Sequence, residues 1–577
     1  MVDFYGSTKL LKNKQWVKHR KEIFDRQNSR FWDLQWAASY LVADTDKAEI
    51  EKLLPKSIYE NSFELLERFN KISKDKLYYE KSGRGVLYSV SHSLAQSALA
   101  VSKNKKSITR LSETGEKCHL CGEFEVLHHK KYCGDVKASE YKKNTKVFWE
   151  KLKATWDGDK ESKLGYNLNK NEKLCSICLT KRMACEAMEG DKEHILHSVF
   201  MGKKSFPSTT DIALTSYFER ENVDYEKRKE IAQKIHKKAD DKTDNSDRYY
   251  AILLMDGDKM GDLVNGITLA STWESVMHPD IVERLKKPEF ERKYRANWKD
   301  IFDKKRLITP AIHAAISESL GDFSLYGVDR IIREHHGTLI YAGGDDVCAV
   351  LPVETSFKAA QKIQQYYTST YKLIQNDKNK DPVDVKDSFP SAPGKLSINL
   401  GKGDGISISA GILICHHKES LTQMVSEAQH LLKDKAKKEA GRNACAIELR
   451  KRSGGIRYFV RKWSDEQTWK SFTEIGGAIE SKNKAQISSS IVYRLEQLKD
   501  GIEAILKQNN WNVMLKALII SQLVRSSVGD KDRKEMFAEK MVDLVVCKNS
   551  EGKYEYKPEG LIVAAFMAKG GEDNGLV

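Results

Sequence analysis

The stretch Gly337–Pro352, GTLIYAGGDDVCAVLP, limits what this chain can fold into more than any other segment. Two short apolar runs enclose Gly343, Gly344, Asp345 and Asp346, so the runs read as paired strands and the four residues as the hairpin between them. A tight hairpin needs residues that tolerate positive φ, and the two glycines supply them. Glycine also lets a phosphate approach the backbone closely. Asp345 and Asp346 then stand together at a sheet edge, where neighbouring carboxylates repel. A divalent cation relieves that repulsion, and hard oxygen ligands suit Mg²⁺ or Mn²⁺. Taken alone, the motif is equally an ordinary turn, because Gly and Asp are both turn formers.

A second acidic motif shifts the balance. ILLMDGDKMGDL (residues 252–263) sets Asp256 and Asp258 at the end of a strand that begins near Tyr249. The elements from there to about residue 451 run β-α-α-β-β-α-β-α-β, which predicts an antiparallel sheet with helices on one face, a palm-like arrangement. Thr309 and Pro310 open one of its helices as cap and first-turn residue. Residues 376–403, rich in Pro, Gly and Asp, read as a loop. In a palm the first strand lies beside the hairpin, so the two acidic pairs converge. Such a cluster holds two cations about 4 Å apart for nucleotidyl transfer. No protein general base stands out, and chemistry of this kind does not demand one. Ser407 and Ser409 alternate with Ile406 and Ile408 and so share one strand face, where they either contact a base or simply pack. His416 and His417, at a strand end, receive no role.

Outside the palm, 577 residues exceed one core and predict three or four domains. Residues 1–117 read as mostly helical, with Trp32 and Trp36 as core anchors and FWDLQWAASYLVADTDKAEIEKLL in helical register. A cysteine-bearing region at 118–245, the palm at 246–460 and a helical segment at 461–577 complete the division. Cys118 and Cys121 form one CxxC pair and Cys175 and Cys178 another, a pattern that favours one tetrahedral zinc over disulfides even across 53 intervening residues. Cys133 and Cys185 read as spares, and His128 and His129 as less favoured substitutes. Lysine and arginine exceed the acidic residues by 15, which suits a partner with a phosphate backbone. No run of eighteen apolar residues is present and the N-terminus has no signal-peptide core, so a cytoplasmic location and no membrane contact are expected.

MDGDKMG, YAGGDD, SAGILICHHK and AKKEAGRNACAIELRKRSGG together resemble the large subunit of type III CRISPR effector complexes, above all the Cmr-type (III-B) branch. The resemblance extends over roughly residues 110–460. It implies an α+β multidomain chain with two ferredoxin-like palms, a degenerate first one spread over residues 1–117 and 118–245 and a catalytic one at 246–460 similar to polymerase palms and GGDEF-type cyclases, with a zinc-binding insertion and a helical C-terminal domain. It further implies a target-RNA-activated nucleotidyltransferase that joins AMP units from ATP into a second messenger. The product is a cyclic oligoadenylate or, in some relatives, AMP carried on S-adenosylmethionine; a non-catalytic RNA-binding scaffold is the alternative. Residue by residue, Asp256 matches the first-strand metal ligand and Asp345 and Asp346 the double aspartate. Gly257 offers a backbone carbonyl and Asp258 an additional ligand. Lys437 matches a cyclase helix lysine that approaches triphosphate oxygens, although it is one of several lysines on that helix. The implied partners are other Cmr-type subunits, guide RNA and target RNA. The sequence holds no His-Asp dipeptide, and its first 90 residues hold one histidine, His19, so an HD nuclease is not expected.

Overall fold

Tyr249–Gly257 (β1) is apolar at almost every position, the composition of a strand buried on both faces. The computed structural model describes residues 22–29, 31, 34–72, 83–105, 113, 115–128, 136–157, 171–190, 193, 197, 207–237, 245–294, 298–375, 383–384, 394–401, 405–480, 486–525, 531–549 and 551–568. Thr338–Gly343 (β2) and Asp346–Leu351 (β3) are the predicted hairpin. Tyr371–Gln375 (β4), Val383–Asp384 (β5) and Gly394–Ile398 (β6) form a separate small sheet in the order β5-β4-β6. Part of the loop expected at 376–403 is therefore strand, and most of the remainder lies outside the described residues. Ile408–His416 (β7), Ala444–Arg450 (β8) and Ile456–Lys462 (β9) complete the main sheet, in the order β2-β3-β1-β7-β8-β9.

The first four strands of that order form the antiparallel ferredoxin-like core. Two expectations are corrected. The sheet is mixed, because β7 and β8 run parallel, joined by the long helical crossover Leu421–Glu439. Helices also cover both faces. Ala251, Leu253 and Met255 share a core with Phe357, Ala360 and Ile363 of the helix Val353–Tyr367 and with the C-terminal helices. Tyr250, Ile252 and Leu254 pack with Leu431, Leu432 and Ala436 of the crossover. The helices after residue 461 thus complete the core of the palm rather than standing apart from it, and β9 is a strand the sequence reading did not anticipate.

The chain separates into two compact units, Met1–Ser39 with Leu94–Phe206, and Tyr40–Ser93 with Pro207–Val577. The first has its own core of Phe148, Trp149, Leu152, Leu174 and the cysteine-bearing segments. The helix expected from residue 31 starts only at Lys47, directly after a 3₁₀ turn at Asp44–Asp46. Trp36 is 76% exposed, not a core anchor, and Trp32 lies outside the described residues. No helix among the described residues is long and apolar enough to cross a membrane.

Candidate metal and nucleotide site

The hairpin turn is two residues, Gly344 and Asp345, since Gly343 pairs with Asp346. Gly344 has φ +72°, and no other residue of the turn has positive φ, so one glycine rather than two supplies the left-handed geometry. Positive φ at the first central position alone is the pattern of a type II′ hairpin. Gly343 serves differently, because a Cβ there would collide with the Tyr341 ring. The turn is tied down from the helix side: the Ser324 hydroxyl lies 3.0 Å from the Gly344 carbonyl, within a π-helical stretch, Phe323–Val328.

β1 lies between β3 and β7, so its end reaches the hairpin turn. One carboxylate oxygen from each of Asp256, Asp345 and Asp346 falls within 4.8 Å of the others, a spacing that fits a shared cation. Gly257 makes this approach possible, since a Cβ there would sit 2.8 Å from Asp345 Oδ2 and 2.9 Å from the Tyr367 hydroxyl. Burial raises the carboxyl of Asp345 above its ordinary range, and the neighbouring Asp346 charge adds to the shift. Burial raises Asp346 as well. The pair is costly to ionise in the bare protein, and a bound cation removes that cost.

Asp258 is placed elsewhere. It is 3% exposed and accepts hydrogen bonds from Ser407 Oγ (2.7 Å), Ser409 Oγ (2.8 Å) and the Asn443 backbone N–H (2.9 Å). Its carboxylate ties the end of β1 to β7 and to the turn before β8. The two serines face a carboxylate, a role their alternation alone did not reveal.

Lys437 comes from the second π-helical stretch, Leu431–Glu439, which Gly411 lets lie close on β7: a Cβ at Gly411 would meet the Leu432 amide nitrogen at 3.1 Å. Its Nζ contacts Asp256 Oδ2, donates to the Gly257 carbonyl at 3.0 Å and lies 3.7 Å from Asp258 Oδ1. Burial, with the Arg442 charge, pulls the ammonium down to about 8. Ser324 and Tyr367 are supporting residues that sequence reasoning missed, because neither stands in a motif or at a distinctive spacing.

In the other unit, Cys118, Cys121, Cys175 and Cys178 bring their sulfurs within 4.8 Å of one another, and all four are free thiols. Cys121 and Cys175 lie 3.9 Å apart, close to the edge of about 3.8 Å expected for a tetrahedron of thiolates at ~2.3 Å from zinc. The first pair sits on a tight knuckle, where Cys118 N–H donates to the Phe124 carbonyl and Gly122 takes φ +69°. The second pair straddles the start of the helix Ser176–Gly190, with Cys178 N–H directed at Cys175 Sγ. Hydrogen bonds from Cys175 and Cys178 hold Cys118 below the usual thiol range, whereas the hydrogen bond with Cys118, with burial adding, pushes Cys175 up to about 12. Four thiolates so close together repel, and a dication held among them would offset that repulsion. His128 is buried near Glu125, apart from the sulfurs. His129, Cys133 and the side chain of Cys185 lie outside the described residues.

Comparison with known proteins agrees with this geometry. Residues 249–446 match the family described as Cas10/Cmr2, second palm domain. The CRISPR system Cmr subunit Cmr2 of Pyrococcus furiosus is 29% identical over 372 residues, 60% of this chain and 37% of the relative. Its counterpart in Saccharolobus solfataricus is 27% identical over 159 residues, 26% of this chain and 14% of the relative. The chain therefore spans well under half the length of these curated relatives. A cryo-EM structure of the Type III-B Cmr-beta complex bound to cognate target RNA contains a chain that superimposes with a TM-score of 0.53 at 15% identity. That match covers 96% of this chain and 69% of the other, and it supports the fold. The resemblance read from the motifs is borne out: residues 249–446 match the Cas10/Cmr2 second palm, and the chain is similar in sequence to Cmr2 subunits of CRISPR systems.

Proposed function

We propose that this Cmr2-type chain is a nucleotidyltransferase, activated by target RNA, that joins AMP from ATP to an acceptor and releases pyrophosphate. The observation that carries the reading is the meeting of Asp256, Asp345 and Asp346 across two strands, with Lys437 beside them. Mg²⁺ or Mn²⁺ held there, as one ion or a pair, would lower the pKa of the attacking hydroxyl and offset charge on the triphosphate. The chain's own residues do the rest. The three aspartates fix the cation position, and Gly257 offers its carbonyl at the same place. Gly343 and Gly344 put no side chain next to the double aspartate, where phosphates would pass, and Lys437 supplies a positive charge within reach of them. Asp258 holds β1, β7 and Asn443 in register and is a positioning residue. The four cysteines bind a structural zinc. Other Cmr-type subunits, guide RNA and target RNA are the proposed partners.

The acceptor is either a second ATP, giving cyclic oligoadenylates, or S-adenosylmethionine. Mass spectrometry of products from the assembled complex, with target RNA, Mg²⁺ or Mn²⁺ and ATP, with and without S-adenosylmethionine, decides between them. Product should disappear in the Asp345→Ala/Asp346→Ala double variant, by a factor of at least ~10³. No product sensitive to that variant under either condition would leave an RNA-binding scaffold as the function.

A further inference from the structure

We infer that Lys437 is a resident counter-ion, whose ammonium fills the position of a divalent cation in the resting chain and must be displaced when one binds. The inference rests on reading Asp256, Asp345 and Asp346 as metal ligands. Lys437 Nζ touches Asp256 Oδ2 and donates at 3.0 Å to the Gly257 carbonyl. These are the carboxylate and the backbone oxygen that β1 contributes to the cation position. One ligand set cannot serve an ammonium and a dication together.

The lysine does not drift there from solvent. Its side chain is 15% exposed and is delivered by the π-helical stretch packed on β7, so the contact is built into the fold. Among the described residues Asp345 and Asp346 have no basic partner. The ammonium meets Asp256 alone of the three gathered carboxyl groups, whereas a doubly charged ion can bind all three and so gains more there than Lys437 does. Displacement frees a lysine next to the cation, where a triphosphate would lie. Cation entry thereby readies the charge that receives the nucleotide, and the empty site keeps its carboxylates partly neutralised.

A purely supporting lysine makes the opposite prediction. If Lys437 only holds the carboxylates together, its removal splays them and weakens cation binding. If it competes, removal strengthens binding. The test is a Mn²⁺ titration of the zinc-loaded, nucleotide-free full chain, followed by the electron paramagnetic resonance signal of free Mn²⁺. It compares wild type, Lys437→Met, Lys437→Gln and Asp345→Ala/Asp346→Ala. Both lysine variants should bind Mn²⁺ about two- to fivefold more tightly than wild type, the size expected from removing one competing ion pair. Equal or weaker binding by both, with circular dichroism unchanged, overturns the inference while leaving the metal site intact. Wild type and the double-aspartate variant binding alike would instead overturn the metal-site reading, and the inference with it.

Discussion

Asp258 and Asp345 belong to motifs that look equivalent in the sequence, yet they should respond to substitution with opposite signs. Asp258 is a buried carboxylate with three donors, including the Asn443 backbone N–H. Asp258→Ala orphans those donors and should cost ~2–4 kcal/mol in chemical denaturation. Asp345 is raised by burial and by Asp346, so in the bare protein its ionised form is a burden. A raised folded-state carboxyl contributes stability at low pH that is lost as pH rises through its shifted value. At neutral pH in chelator, Asp345→Asn should therefore raise the melting midpoint by roughly 1–3 °C, while abolishing the extra stabilisation that Mn²⁺ gives wild type. Destabilisation by Asp345→Asn in chelator would show that this carboxylate is structural. The sequence identified the residue types and the convergence of Asp256 with the double aspartate. It could not sort ligand from support, because the difference lies in which donors surround each carboxylate: Ser407, Ser409 and Asn443 reach Asp258 from positions about 150 and 185 residues away in sequence.

At the level of elements, strand positions were legible and their wiring was not. Apolar runs bounded by Gly, Pro and charged residues marked β1, β2, β3, β7 and β8, since burial dictates composition. The same element order suits an all-antiparallel and a mixed sheet, so the parallel β7–β8 pair was invisible until the crossover helix was seen to lie on the second face. The two π-helical stretches, which deliver Ser324 and Lys437, carry no periodicity distinct from an α-helix over so few residues. β7 ends in His416 and His417 follows it, both buried, the latter within 2.8 Å of the Thr210 hydroxyl. Burial lowers His416 to about 4 and His417 to about 3, with neighbouring cations adding to each. Their neutral forms belong to the folded state, so the associated stability is present above the unfolded value near 6.5 and is lost as pH falls toward the folded values. The slope is at most ~1.4 kcal/mol per pH unit for each ring. Urea denaturation between pH 7 and pH 5 should show this fall, and His417→Gln should reduce it by roughly half. A slope identical in the variant would assign the acid sensitivity to other groups.

The whole molecule divides by packing rather than by sequence order. Gln27, fully buried, bonds to Glu113, to the Glu125 carbonyl and to Ser176, and so joins the N-terminal segment to the cysteine-bearing region across roughly 150 residues. No local pattern announces such a link, whereas the cysteine spacing announced the cluster itself. The two units have separate cores, one around Trp149 and the four cysteines, the other around the sheet. A domain with its own core can unfold on its own. Structural zinc in a small site contributes on the order of 10 kcal/mol of folding free energy, more than a core of this size supplies unaided. Removing zinc with a strong chelator, or replacing Cys178 with serine, should therefore unfold the first unit and leave the palm standing. Limited proteolysis followed by mass spectrometry reads this directly: new cleavages should cluster within residues 113–190, while 249–462 stays protected and still binds Mn²⁺ in the zinc-free chain. If the chelated chain is cut no faster in the first unit, the four thiols do not hold a structural metal. If both regions are cut together, the palm depends on the zinc unit for its own stability, and separate cores do not make separate folding units here.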